Sequence, residues 1–473
     1  MRVKNKQILI VGLGISGVAA ARLALARGAK VTGIDSANSE ALQRQAAELR
    51  EAGIFVELGV QTVPDREFDL AIVSPGVEPK SPLHRALADR RIQVIGELEF
   101  GQRECGKPTI AVTGTNGKTT TTELINHMLN ACGKRSVAAG NIGFPVCRVA
   151  LEAGDLDFVT LEVSSFQLET IEFFRPTVGV LLNLSEDHMD RHGTMIDYAR
   201  AKARMFGNQQ SFDWAVMQSE ALAYLRSQQI DVPSQVITFS SNHRRADLYL
   251  DRSLIVGTLP DWDGPLLAMQ QTSLRGAHNA ENVMAALAVG RILQLSLEEM
   301  VRAIKSFKAS PHRCEFVAEI DGVHYLNDSK ATNVDAMMKA IDAMPSVSPE
   351  DPNIWLIAGG SDKGFEFHAA GPLLARRVKG VFLMGETAGR MKAAWHLFAT
   401  CVPVDDLAEA VRQAAEKAEL GDVVLLSPSC ASFDQFKSYA DRGDRFKAAV
   451  DEIRHTKCGI EPKRSPQAIV SLL

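Results

Sequence analysis

Ten residues in the first third of the chain have the spacing of a phosphate-binding loop. Residues 111–120 read AVTGTNGKTT, follow the apolar run 109–112 and lead into the segment 123–129. This order predicts a strand, a glycine turn and a helix, which together point backbone N–H groups and the positive end of a helix at a phosphate. In such a loop Lys118 would reach the terminal phosphates, and Thr119 would offer its hydroxyl to Mg²⁺.

The loop departs from the common phosphate-loop pattern at its first position. Val112 stands five residues before Gly117, where that pattern has a glycine, so a generic ATPase is less favoured. A glycine turn with a surface lysine is the plain alternative, but the strand and the helix lie where the motif requires them. The sequence therefore predicts a nucleotide site formed by Gly114, Thr115, Asn116, Gly117, Lys118, Thr119 and Thr120.

A second glycine-rich turn lies close to the start of the chain. Residues 12–17 read GLGISG, follow the apolar run 8–11 and precede an alanine-rich helix predicted over 18–26. Asp35 closes the next strand, about 20 residues after these glycines. This arrangement is typical of dinucleotide-binding folds, in which the acid meets a ribose hydroxyl.

Other predicted strands also end in polar clusters. The strand over 69–73 runs into a Ser-Pro-Gly turn, and the strand over 158–163 carries Glu162. Ligands of parallel sheets bind at the carboxyl ends of strands, so Glu162 could coordinate a metal or orient water, or simply face solvent. His188 follows the strand over 178–182 among aspartates and could be a second magnesium ligand or part of a solvated loop. A zinc site would need more ligands than this cluster offers.

Strands and helices alternate along the whole chain. Its 473 residues suit about three domains. We predict three α/β domains with mostly parallel sheets: a Rossmann-like N-terminal domain over 1–106, a P-loop-type central ATPase domain over 107–310 and a Rossmann-like C-terminal domain over 311–473. The third domain should contain strands over 354–358, 378–384 and 423–426, with a frayed tail after about Arg454.

Composition excludes several classes of protein. A net charge of −5 argues against a general role with nucleic acid or membrane surfaces, and no apolar run is long enough to span a bilayer. The N-terminus has basic residues but lacks the apolar core of a signal peptide. Seven scattered cysteines without a C-x-x-C pair indicate a reduced protein. We therefore expect a cytoplasmic monomer that acts on small molecules.

Eight segments match, in order, the motifs of one enzyme family. On these segments the chain resembles the ATP-dependent muramyl amide ligases of peptidoglycan precursor synthesis, over nearly its whole length. Residues 164–168 and 432–436 point to the D-glutamate-adding branch of that family. The eight segments are 113–119, 140–143, 162–167, 187–193, 276–282, 311–313, 327–333 and 427–436.

The resemblance implies amide formation in two steps. The γ-phosphoryl group of ATP passes to the carboxylate of UDP-N-acetylmuramoyl-L-alanine, and the amino group of D-glutamate then displaces phosphate. Lys118 and Mg²⁺ would supply the positive charge that brings the two anions together. Thr119 and Glu162 would hold one Mg²⁺, and His188 and a carbamylated Lys202 would hold a second.

Lys202 has two interpretations at this stage. From the residues alone it is a surface lysine of a helix predicted over 198–206, with Arg200 and Arg204 beside it. In the family the matching lysine is carbamylated and serves as a metal ligand. That chemistry requires a neutral amine, which burial near other cations can produce.

The resemblance also implies the substrate contacts. The first domain would hold a UDP-sugar rather than a nicotinamide, through Gly14, Ile15, Ser16, Asp35, Ser36 and Gly76, with Asn141 and His188 at the sugar or acyl end. ATP would also contact Asn279 at its adenine, with Asn282 a weaker candidate, and Arg313, Asp328 and Lys330 at its phosphates and ribose. D-Glutamate would bind Thr332, Lys363, Ser432, Phe433 and Tyr439, although the alignment around Lys363 also permits a solvated loop lysine.

Three alternatives stay open from the sequence. The chain could be a related ligase, either folylpolyglutamate synthase or another muramyl ligase, which a change of acceptor amino acid would reveal. It could be a nicotinamide oxidoreductase, as the turn at 12–17 suggests, or a non-enzymatic ATP-binding switch. For a ligase we expect the third domain to close about residues 310–311 when nucleotide binds, which small-angle scattering would detect as compaction.

Overall fold

The computed structural model describes residues 3–152, 154–344, 351–362, 364 and 366–458. Within these ranges strands and helices alternate, and the chain divides into two units, residues 1–307 and 308–473. Two sheets belong to the first unit and one to the second, and each is mostly parallel. The predicted fold class, three α/β domains with mostly parallel sheets, is confirmed.

The first sheet has the strand order β3-β2-β1-β4-β5, and all of its described pairs are parallel. Its elements are β1 (Gln7–Val11), α1 (Ile15–Ala26), β2 (Lys30–Asp35), α2 (Glu40–Glu51), β3 (Phe55–Leu58), β4 (Leu70–Val73), α3 (Pro82–Asp89), β5 (Val94–Gly96) and α4 (Glu97–Cys105). Helices cover both faces of this sheet, because Ile8 and Ile10 pack in one core with Leu23 of α1, whereas Leu9 and Val11 pack in another with Leu83 of α3.

The second sheet contains the predicted phosphate loop. Its elements are β6 (Thr109–Thr113), α5 (Lys118–Ala131), β7 (Ser136–Gly140), α6 (Val146–Glu152), β8 (Phe158–Glu162), α7 (Ser165–Leu168), β9 (Val178–Leu181), α8 (Met189–His192), α9 (Met195–Ala203), β10 (Trp214–Gln218), α10 (Ser219–Ser227), β11 (Gln235–Ser240), β12 (Leu248–Asp251), β13 (Leu254–Leu259), β14 (Trp262–Ala268), α11 (Ala277–Ile292) and α12 (Leu297–Ser306). The strand order is β14-β13-β12-β11-β10-β9-β6-β8-β7, and the β12–β13 and β13–β14 pairs are antiparallel. This order places β8 and β9 on either side of β6, so the residues that follow both strands lie beside the loop.

The third sheet forms the unit 308–473. Its elements are β15 (Glu315–Ile320), β16 (Val323–Asn327), α13 (Val334–Ala343), β17 (Ile354–Gly359), α14 (Gly371–Arg377), β18 (Val378–Met384), α15 (Ala388–Trp395), β19 (Thr400–Pro403), α16 (Leu407–Lys417), β20 (Val423–Leu426) and α17 (Tyr439–Cys458). The strand order is β15-β16-β20-β17-β18-β19, and only the β15–β16 pair is antiparallel among the described pairs.

Some predicted boundaries are wrong by a turn or less. Helix α1 begins at Ile15 rather than at residue 18, so its first turn is part of the glycine-rich motif. Helix α9 ends at Ala203 and passes into a 3₁₀ turn, whereas the sequence predicted one helix over 198–206. Helix α17 continues to Cys458, past the predicted start of the frayed tail at about Arg454. Among the described residues, no helix has both the length and the apolar character that crossing a bilayer requires.

Glu97 is a buried carboxyl group at the start of α4. Its Oε1 accepts the backbone N–H of Cys147 at 2.7 Å, at the start of α6. Its Oε2 has no hydrogen-bond partner among the described residues. Burial raises the pKa of the Glu97 carboxyl group to about 7.

Glu97→Gln should therefore flatten the dependence of stability on pH. The ordinary pKa is 4.5, so between that pH and about 7 the folded chain holds a proton that the unfolded chain has lost. Over this window the stability of the wild type should fall with rising pH by about 3 kcal/mol more than that of the variant, as measured by urea unfolding. Glu48 is exposed on α2, so Glu48→Gln should keep the wild-type dependence of stability on pH. Equal slopes for Glu97→Gln and the wild type would contradict the prediction.

Candidate active site

The phosphate loop connects β6 to α5 through two glycines in unusual conformations. Gly117 is the N-cap of α5 with φ +84°, which favours glycine. A Cβ on Gly114 would lie 2.9 Å from Leu182 Cβ, so no larger residue fits there. The ammonium group of Lys118 lies on its own loop, donating to Gly114 O at 2.9 Å and to Thr115 O at 2.8 Å.

Glu162 joins this loop to the neighbouring strands. Its Oε2 accepts the Thr119 hydroxyl at 2.6 Å, and its Oε1 accepts the Asn141 side-chain amide at 2.7 Å. Val112 and Glu162 are partners in the β6–β8 register, which is why the carboxylate reaches α5. Glu162 is buried, so it does not face solvent as the plain alternative proposed. A carboxylate and a hydroxyl oxygen in direct contact are ligands of the kind that Mg²⁺ prefers.

Lys202 is buried against the same loop. Its ammonium group donates to Gly114 O at 2.9 Å, the carbonyl that also accepts Lys118, and lies 4.4 Å from the centre of the Tyr198 ring. Burial, and then the charge of Lys118, lower the pKa of Lys202 well below its ordinary value. The interpretation of Lys202 as a helix-surface lysine is therefore wrong. The environment favours the neutral amine that carbamylation requires.

His188 precedes α8 in a left-handed conformation, with φ +57°. Its Nε2 lies 3.8 Å from Asp187 Oδ2, and its ring packs edge-on against Phe166, with ring centres 4.7 Å apart. Asp187 is buried and acts electrostatically on Lys202. The loop that carries His188 therefore lies beside Lys202, as the predicted second metal site requires.

A cavity of about 690 Å³ lies at the carboxyl ends of the first sheet. The predicted UDP-substrate residues that line it are Gly14, Ile15, Ser16, Asp35, Ser36, Gly76 and Asn141. His188 is not among its lining residues. Both carboxylate oxygens of Asp35 accept hydrogen bonds from backbone N–H groups. Oδ2 accepts Leu13 N at 2.7 Å, and Oδ1 accepts Ala37 N at 2.8 Å.

Several residues of the cavity wall were not predicted, among them three with long polar side chains. Gln61, Glu78 and Gln167 also line it. Gln61 follows β3, a strand that was not among those predicted from the sequence. The rule that ligands bind after the carboxyl ends of strands would have found Gln61 had that strand been predicted.

Asn279, the predicted adenine contact, lies in the first turn of α11. Its Nδ2 donates to Arg275 O at 2.7 Å, and its Oδ1 accepts Asn282 Nδ2 at 3.0 Å. Asn282 is buried, and its Oδ1 accepts the Thr121 hydroxyl at 3.0 Å. Asn282 therefore connects Asn279 to α5 in this structure, and Asn279 is the more accessible of the two.

The predicted ATP residues of the unit 308–473 lie at the start of β15 and the end of β16. Burial raises the pKa of the Asp328 carboxyl group to about 7, and its oxygens accept Cys314 N at 3.2 Å and the Ser427 hydroxyl at 2.9 Å. Lys330 Nζ lies 3.7 Å from the centre of the Tyr439 ring. Arg313 is half-buried and acts electrostatically on Asp328.

The predicted D-glutamate residues are spread over three segments of the same unit. Thr332 precedes α13, Ser432 and Phe433 follow β20, and Tyr439 begins α17. Ser432 is buried, whereas the Phe433 side chain is 76% exposed. Tyr439 O accepts the Ser329 hydroxyl at 2.8 Å, which joins the β16 end to α17. Lys363 lies outside the described residues.

Comparison with known families agrees with this arrangement along the chain. Three family models match: the MurD-like N-terminal domain of Mur ligases over residues 6–96, the Mur ligase middle domain over 112–290, and the glutamate ligase domain of Mur ligases over 312–430. The chain belongs to the Mur ligase family.

Relatives of the chain are named as one particular ligase within this family. The chain is 41% identical to a UDP-N-acetylmuramoylalanine–D-glutamate ligase of Koribacter versatilis, over 95% of this chain and 98% of the relative. It is 37% identical to the ligase of the same name from Caldanaerobacter subterraneus, over 96% of this chain and 100% of the relative. Both confirm the D-glutamate-adding resemblance.

Solved structures share the fold at lower identity. One is the UDP-N-acetylmuramate–alanine ligase MurC of Thermotoga maritima, with 20% identity, a TM-score of 0.58 and coverage of 95% of this chain and 100% of that one. Another is the MurF ligase of Thermotoga maritima in complex with ADP, with 18% identity, a TM-score of 0.59 and coverage of 95% and 96%. These matches support the fold assignment alone.

Proposed function

We propose that the chain is an ATP-dependent ligase that adds D-glutamate to UDP-N-acetylmuramoyl-L-alanine and releases ADP and phosphate. One observation carries this proposal beyond the family assignment. Asn141 lines the 690 Å³ cavity and donates to Glu162, which accepts the Thr119 hydroxyl of the phosphate loop. Two short hydrogen bonds thus connect the cavity wall to the loop, as transfer from a nucleotide to a substrate in the cavity requires.

The side chains have distinct tasks in this reaction. Lys118 would exchange its two carbonyl contacts for the terminal phosphate oxygens of ATP, placing positive charge where the γ-phosphoryl group leaves. Thr119 and Glu162 would hold one Mg²⁺, which when bound neutralises the phosphate charge. The substrate carboxylate receives the phosphoryl group, and the D-glutamate amine then attacks the acyl carbon, forming the amide bond and expelling phosphate.

The finer features of the site are part of the proposal. We propose a second Mg²⁺ held by His188 and by Lys202 as carbamyl-lysine. D-Glutamate is assigned to Thr332, Lys363, Ser432, Phe433 and Tyr439. Arg313, Asp328 and Lys330 keep their proposed roles toward ATP.

Carbamylation of Lys202 has a direct test in the intact mass. Native mass spectrometry in bicarbonate buffer should show a fraction of the chain heavier by one CO₂, because the buried amine is neutral enough to react. Lys202→Met should lack that fraction. A wild-type chain without the added mass, or a Lys202→Met chain that keeps it, would remove the modification from this site.

Phosphate release tests the function itself. ATP, Mg²⁺, UDP-N-acetylmuramoyl-L-alanine and D-glutamate are supplied together and then omitted one at a time. Release should need all four and should fail when L-glutamate replaces D-glutamate. Release without the UDP-substrate would contradict the assignment of the cavity and favour another ligase or an ATPase.

A further inference from the structure

Residues 182–185 continue from β9 and form hydrogen bonds with the phosphate loop. Leu182 N donates to Thr113 O at 3.0 Å, and Thr115 N donates to Asn183 O at 3.1 Å. The Thr115 hydroxyl donates to Ser185 O and accepts Ser185 N, both at 3.0 Å. The parallel pairing of β6 with β9 therefore extends past both strands and into the loop.

The side chain of Asn183 brackets a single residue of that loop. Its Oδ1 accepts Asn116 N at 2.8 Å, and its Nδ2 donates to Asn116 O at 3.1 Å. A carboxamide carries a donor and an acceptor in one plane, so one side chain satisfies both backbone groups. If the amide oxygen and nitrogen were exchanged, two donors would face each other at Asn116 N and two acceptors at Asn116 O. The hydrogen bonds therefore settle the orientation of the amide.

These two hydrogen bonds fix Asn116, which lies two residues before the first residue of α5. Asn116 is followed by Gly117, which turns the chain with φ +84°, and α5 then begins at Lys118. Anions bind at the N–H groups of such a first turn, so their direction depends on the peptide that precedes the turn. If Asn116 could rotate, the loop would sample other conformations, and a bound nucleotide would have to order it again.

We infer that Asn183 is a positioning residue for nucleotide binding, acting through Asn116 on the first turn of α5. The inference rests on the proposed function, because ATP is the ligand of this loop only if that function is correct. It assigns Asn183 no contact with a substrate. Its effect should therefore appear in the affinity for nucleotide and not in the affinity for the UDP-substrate.

Asn183→Ala tests the inference by removing both hydrogen bonds without adding charge. Calorimetry with MgADP should show binding about tenfold weaker than wild type, because the loop would be in its binding conformation in a smaller fraction of the molecules. Binding of UDP-N-acetylmuramoyl-L-alanine alone should stay within about twofold. Asn183→Gln keeps the amide but displaces it by one methylene, and we expect an intermediate loss of MgADP affinity.

Asn208→Ala is the matched control. The amide of Asn208 donates to two backbone carbonyls in the same unit, Glu172 O at 2.9 Å and Phe174 O at 3.2 Å, neither of which belongs to the loop. Asn183→Ala and Asn208→Ala should lower the melting temperature to a similar extent, and only Asn183→Ala should weaken MgADP binding.

Several results would overturn the inference. They are wild-type MgADP affinity in Asn183→Ala, an equal loss of affinity in both alanine variants, or failure of both Asn183 variants to fold. Failure of the proposed function would look different. The wild type would then bind no UDP-substrate or release no D-glutamate-dependent phosphate, whatever the MgADP result.

Discussion

Lys118→Met is expected to lower the rate of phosphate release at saturating substrates by about a thousandfold. The Lys118 ammonium group lies within 2.9 Å of two loop carbonyls, close to where the phosphate loop would hold the terminal phosphate. Methionine keeps most of the side-chain volume and removes the charge that offsets repulsion between the triphosphate and the substrate carboxylate. The affinity for the UDP-substrate should stay within about twofold, because Lys118 does not line the cavity.

The control for Lys118 is a lysine with no part in the loop. Lys305 lies exposed on α12 of the same unit, and Lys305→Met should keep the wild-type rate. Urea unfolding of both variants would establish that they are folded under the assay conditions. A Lys118→Met enzyme that retains a tenth or more of the wild-type rate would contradict the assigned role.

The phosphate loop and the glycine turn at 12–17 could be predicted because their signals are local. A strand, a turn with required glycines and a helix follow one another within about 25 residues, and the conformations of Gly114 and Gly117 are ones that other residues rarely adopt. Glu162 was predicted for a related reason. A polar residue at the end of an apolar strand reaches the sheet edge where ligands of parallel sheets bind.

The environment of Lys202 could not be predicted, because it depends on distant parts of the chain. Lys202 lies between Arg200 of α9 and Arg204, which follows that helix, and the local pattern is that of a surface helix. Its burial arises because α9 packs where the loop carbonyl of Gly114, 88 residues earlier, accepts its ammonium group. No window of sequence contains that contact, and only the family resemblance placed Lys202 among the candidate site residues.

The inferred role of Asn183 could not be predicted from the sequence either, because it too depends on a contact between distant residues. The sequence places it at the end of a strand, where it could equally have been a ligand contact. Only the strand order, with β9 directly beside β6, brings its amide to Asn116. Sequence patterns thus identified which elements end at the site, whereas the pairing of those elements decided what each side chain does there.

Arg442→Met is expected to lower the free energy of unfolding of the unit 308–473 by about 3 kcal/mol. Arg442 is fully buried in α17 and joins the ends of two strands. Its Nη2 donates to Ser329 O at 2.8 Å and Cys430 O at 3.0 Å, and its Nε donates to the Ser329 hydroxyl at 3.0 Å. Burial lowers the pKa of the guanidinium group to about 10, so it remains charged at neutral pH.

Methionine would fill much of the space of Arg442 but would leave those buried oxygens without their donors. Arg445→Met is the control for the loss of an arginine as such, because Arg445 lies one turn further along the same helix α17. Its side chain is 58% exposed and pairs with Asp441 at 3.1 Å, so Arg445→Met should cost no more than about 0.5 kcal/mol in the same urea titration. Similar costs for the two variants would mean that the carbonyls around Arg442 find other donors, and that its charge does not hold the segments around Ser329 and Cys430 together.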